Sequence, residues 1–110
     1  MIENTIGEIE TKIHASESLS AERKRELLQL LGTLKAEVGT IAHTHGEQAQ
    51  SIAGFTQVST HEAMREKQNP ESLQHSVQGL RSSVDGFEQS HPKLVQIVNS
   101  ISQTLSNLGI

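Results

Sequence analysis

The sequence predicts an all-α fold, a short N-terminal helix packed on a long antiparallel helical hairpin with the packing character of a coiled coil. Three observations predict it. From Leu73 onward an apolar seam runs Leu73, Val77, Leu80, Val84, Phe87, His91, Leu94, Val98, Ile101, Leu105, Leu108, with steps of four and three that never slip. A matching seam runs Leu27, Leu31, Leu34, Val38, Ile41, His45, Gln48, Ile52, Phe55, Ser59, Glu62, strong to Ile41 and more polar beyond it. A single antiparallel register, turning near Gln68, pairs the two from Leu27 with Leu108 through Ile41 with Leu94 to Glu62 with Leu73. Agreement between two independent patterns is the mark of a sequence that specifies its structure.

The first helix is expected over about residues 2–15. Ile2, Ile6, Ile9 and Ile13 form one stripe on it, and Glu8 and Lys12 make a favourable pair one turn apart on the other side. Ala15 to Leu19 breaks the pattern. Ser20 is placed to cap the second helix, with Glu22 favoured in its first turn by the helix dipole. This helix is expected over about 21–67, which at 1.5 Å per residue makes it roughly 70 Å long. The alternative is two helices with a break near Thr44 to Gly46. Lys67 to Asn69 forms the turn, where Asn69 caps a third helix and Pro70 suits its first position. That helix is expected over about 70–108, with a kink or break near 90–92, because Pro92 lacks a backbone donor and crowds the carbonyl of Glu88.

Composition sets the bounds. A chain of 110 residues is read as one helical domain, 1–110. Hydrophobic residues make up 34% and aromatic residues 2%, which suits long helices packed through Leu, Ile and Val better than a thick single core. The formal net charge of -4 and the lack of a basic stripe with stacking aromatics argue against a nucleic-acid partner. There is no cysteine, which excludes disulfides, thiol catalysis and thiolate-bound zinc. No apolar run approaches ~18 residues, so neither a membrane span nor a membrane partner is expected, and the cytoplasm is the default compartment.

A second face is marked by small residues. Gly32, Gly39 and Gly46 recur every seven residues, interleaved with Ala42, Ala49, Ala53, Thr60 and Ala63. A glycine inside a helix costs about 1 kcal/mol relative to alanine, and a row of small side chains lets another helix come close. Gly32, Gly39, Ala42, Gly46, Ala49 and Ala53 are therefore expected to form an interaction face, most simply for a second copy in a homo-oligomer, with a dimer favoured. The competing reading is a solvated face that tolerates small residues.

The six histidines carry what chemistry the sequence offers. His14, His43, His61 and His75 fall at solvent-facing positions, with His61 and His75 near each other across the tip. His45 and His91 fall on the seam, in one layer. Three readings compete for that layer. It can fix register as a polar layer does in coiled coils. It can loosen in acid, since two facing imidazoles do not easily both charge. It can hold a transition metal between two copies of the hairpin. No carboxylate stands at the spacing used by helical metal bundles, so no cofactor is assigned and His45 and His91 are at most metal candidates. No Ser-His-acid set and no phosphate loop is present, so no catalytic residue is assigned and the protein reads as a non-enzyme.

The stretch Phe87-Glu88-Gln89-Ser90-His91-Pro92-Lys93-Leu94, the ending Leu105-Ser106-Asn107-Leu108-Gly109-Ile110, and the Glu/Arg/Leu-rich start of the second helix near Glu22 to Leu31 resemble an uncharacterised family of small bacterial helical proteins, a domain of unknown function. The resemblance implies a bacterial, cytoplasmic protein and carries over no activity. The function expected is that of an oligomerising helical module presenting a surface to an unidentified protein partner. Histidine-dependent binding of a metal or small ligand in the bundle core is the alternative.

Overall fold

The computed structural model describes residues 2–108, and side chains from residue 4 onward. Among the described residues there are five helices and no strand, so the all-α class holds: α1 (Ile2–Ala15), α2 (Ala21–Ile41), α3 (Gly46–Ala63), α4 (Pro70–Ser82) and α5 (Pro92–Leu108). Ile6, Ile9 and Ile13 lie on one stripe of α1 and are buried as it packs on α2 and α3. The side chain of Ile2, the first residue of that stripe, lies outside the described residues. Ser20 Oγ caps α2 by accepting from the Arg23 amide at 3.1 Å. Asn69 Oδ1 caps α4 by accepting from the amides of Glu71 and Ser72, each at 3.1 Å.

The single helix expected over 21–67 is two helices. α2 ends at Ile41, and His45 leaves helical geometry with φ -133° and ψ 57°. Helical hydrogen bonding resumes on either side: the His45 amide donates to Ile41 O at 2.7 Å, and the Ala49 amide to His45 O at 2.9 Å. The local chemistry favours a break here. Thr44 Oγ1 donates to the Ile41 carbonyl at 3.4 Å and lies 2.8 Å from His45 Nδ1, so side-chain bonds compete with the helix. Thr44, His45 and Gly46 are all weak helix formers. α3 then stops at Ala63, short of the expected end at 67.

The second interruption is also wider than expected. The helix lapses after Ser82, and residues 83–91 run as consecutive turns. Gly86 has φ 95°, a left-handed conformation that suits glycine. Pro92 therefore opens α5 instead of kinking a longer helix, at the first position, where no amide donor is needed.

The two breaks fold the hairpin in half. α2 still packs on α5 and α3 on α4, as the two seams pair them. Thr104 Oγ1 donates to Glu26 Oε1 at 3.0 Å, while His45 lies beside His91, so the start of α2 is by the end of α5 and its end by the start of α5. Yet Gln68, in the turn after α3, donates to Leu108 O at 3.1 Å and to Ala63 O at 2.7 Å. In a straight hairpin, Gln68 and Leu108 would stand about 60 Å apart. The molecule is instead 37 Å along its longest axis.

Folding in half makes α3 the central helix, in contact with each of the other four. Its buried residues are Ala49, Ile52, Ala53, Thr56, Ser59, Thr60 and Ala63, one large side chain and otherwise small ones. Small side chains let four neighbours reach one helix at native packing density. Part of the face expected for a second copy is thereby used within the chain. Of its members, Ala49 and Ala53 are buried inside the chain, Ala42 packs partly buried against the core, and Gly46 opens α3. A Cβ at Gly32 or Gly39 would meet open space, so those two glycines are not held by close approach within the chain.

Candidate functional site

The crease of the folded hairpin collects three rings from its two breaks. Phe87 is 5% exposed, and His45 and His91 are half-buried beside it. The ring centroids lie 5.3 Å apart for His45–Phe87, 5.5 Å for Phe87–His91 and 6.4 Å for His45–His91. The interplanar angles are 75°, 77° and 75°, so each pair meets edge to face. Such aromatic pairs add about 0.5–1.5 kcal/mol beyond the area they bury. Each imidazole is also held from its own segment. His45 Nδ1 is 2.8 Å from Thr44 Oγ1, and His91 Nδ1 is 3.0 Å from Ser90 Oγ.

The layer expected to join His45 and His91 is thus present, but it closes a bend instead of sitting midway along straight helices. Two imidazoles are an incomplete coordination set. Among the described residues, no group of three or more His, Cys, Asp or Glu is placed to hold a metal ion. The other histidines go elsewhere. His61 Nδ1 is 3.3 Å from Lys12 Nζ on α1, and His75 Nε2 is 3.7 Å from Glu71 Oε1 one turn away. The Lys12 contact thus engages His61 from α1, a neighbour that a straight hairpin does not bring to its tip. His14 and His43 are exposed.

A second feature is not legible in the sequence. Phe55 and Val58 are 39% and 49% exposed, the large apolar side chains of the described residues that remain outside the core. The seam places Phe55 inside, but the break at His45 turns α3 about its axis. The small residues move inward and Phe55 moves out. Its ring lies against Gly79 of α4, where an added Cβ would come within 2.6 Å of Phe55 Cδ1. Phe55 and Gly79 line a shallow groove of about 350 Å³ together with Glu47, Gln48, Ser51, Ser82 and Ser83. A second groove of about 410 Å³ between α4 and α5 is floored by Leu73 and Val77.

Fold and surface together define a small all-α helical module with an aromatic crease, an exposed apolar pair and a groove lined by one of that pair, Phe55. No helix among the described residues is long and apolar enough to cross a membrane. The chain belongs to the family described as a domain of unknown function (DUF4404), whose profile matches residues 27–110. The match begins inside α2 and takes in both breaks and the crease, while α1 lies outside it. No curated protein and no solved structure matches the chain.

Proposed function

We propose that the protein is a non-enzymatic helical module of the cytoplasm that self-associates, most simply as a dimer, and presents a surface to a protein partner. The observation that carries this reading is the exposed pair Phe55 and Val58, one turn apart on α3, with Phe55 lining the groove at Gly79. Burying a side chain of this size yields about 1.5–3 kcal/mol, so two left outside the core are a resource for association. Phe55 lines the groove with the neutral Gln48, Ser51, Ser82 and Ser83 and the acidic Glu47, polar groups that a partner must hydrogen-bond as it covers them.

Native mass spectrometry of the untagged chain, compared with a Phe55→Ser/Val58→Ser variant, tests the reading without needing a tryptophan or tyrosine signal. A dimer that weakens at least tenfold in the variant is expected. A wild-type chain that stays monomeric across micromolar concentrations overturns the self-association.

A further inference from the structure

The two breaks divide the chain into two halves. One consists of α1, α2 and α5, tied by the Lys35 Nζ–Glu10 Oε1 ion pair at 2.7 Å and the Thr104–Glu26 hydrogen bond at 3.0 Å. The other consists of α3 and α4. Two segments of chain join them, residues 42–45 and residues 83–91. Across the boundary, α3 packs on α1, α2 and α5, and α4 packs on α5.

The first crossing keeps part of its helical bonding. The bonds from the His45 amide to Ile41 O and from the Ala49 amide to His45 O already have helical spacing, and Ala42 has helical dihedrals. Turning His45 from φ -133° and ψ 57° into the helical region brings α2 and α3 toward one helix. The second crossing is a run of turns with Gly86 at its centre, long enough to follow.

We infer that the halves open about His45 and exchange between two copies, so that α3 and α4 of each chain pack on α1, α2 and α5 of the other. This deepens the self-association proposed above and rests on it. The occupant is a second copy because the exchanged surfaces already fit. The packing that joins the two halves of one chain re-forms between chains, which is what makes exchange of identical elements a low-cost route to a dimer. The closed chain leaves His45 outside the helix, and the open one restores helical bonding across residues 42–48. The hinge therefore sets the balance between them.

Cysteine pairs and a short bismaleimide separate the possibilities, since the chain has no cysteine of its own. Lys12→Cys with His61→Cys spans the two halves, and Glu10→Cys with Lys35→Cys lies within one. Native and denaturing masses are read on the same samples. A native dimer in which the first pair links two chains and the second closes within one chain is the expected result. A native dimer in which both pairs close within one chain overturns the exchange and leaves self-association standing. A native monomer overturns both, and linking between chains by both pairs signals random contact and overturns the exchange. In the uncross-linked chain, His45→Ala/Gly46→Ala favours the straight helix, and a Cβ at Gly46 meets nothing within 4 Å in the closed one. It is expected to raise the dimer share severalfold, and an unchanged or lowered share overturns the hinge.

Discussion

At the scale of single residues, the core contains polar atoms that its packing does not use. Ser59 on α3 and Ser102 on α5 are fully buried, and neither hydroxyl has a hydrogen-bond partner. Thr56 and Ser76, also buried, bond the carbonyls of Ile52 at 2.7 Å and Leu73 at 2.8 Å. The contrast isolates the cost. A buried hydroxyl without a partner carries a desolvation penalty of about 1–3 kcal/mol, whereas one bonded to the preceding turn does not. Ser59→Ala is therefore expected to stabilise the protein by about 1 kcal/mol, the small void offsetting part of the gain. That raises the thermal midpoint by roughly 4–8 °C on the scale of a small domain. Thermal melts followed by circular dichroism check this, and a lowered midpoint would show that the hydroxyl is satisfied in solution.

At the scale of helices, the caps and seams were legible because they are local or periodic. Ser20 and Asn69 satisfy amides two and three residues on, so their roles can be read from a few consecutive letters. Leu73, Val77, Leu80, Val84, Phe87, Leu94, Val98, Ile101 and Leu105 are all buried, as the seam places them. What the seam could not report is continuity. Heptad spacing fixes the phase of side chains about an axis, and the phase survives across residues 83–91, where no helix exists. On the other arm the break at His45 turns the helix, so the reading fails at Gln48 and Phe55 and succeeds again at Ile52 and Ser59. The meeting of His45 with His91 was legible from the register, whereas its location at a bend required the folded chain. The exposed Phe55 was lost for the same reason. The cap on α4 gives a prediction at this scale. Asn69→Ala removes the acceptor for both the Glu71 and Ser72 amides and is expected to cost about 1 kcal/mol, while Asn69→Asp keeps it. Urea titration should lower the midpoint for the first variant at unchanged slope and leave the second near the parent.

At the scale of the whole molecule, the question is why a chain with two matched seams does not stay straight. A straight two-helix arm buries one stripe on each helix and leaves the small-residue face of α3 in water. Folding in half sets that face among four helices and shortens the particle to 37 Å. It also brings the tip to the root, where Gln68 bonds Leu108 O and Lys12 meets His61. The gain is area, not electrostatics, because exposed contacts such as the Lys12–His61 pair contribute well under about 1 kcal/mol. Spin labels at Glu66→Cys and Asn107→Cys, both exposed positions near the returned tip, test this geometry directly. In dilute samples mixed with excess unlabelled chain, the measured distance lies within one molecule and is expected to fall well inside 37 Å. A straight hairpin would place the labels about 60 Å apart. A single short distance supports the folded hairpin as the resting state. A single long one would show that the straight form predominates and that the crease at His45, Phe87 and His91 forms only transiently. Two populations whose ratio changes with total protein concentration would place the hinge under mass action, with the folded monomer and the open, exchanged chain in equilibrium.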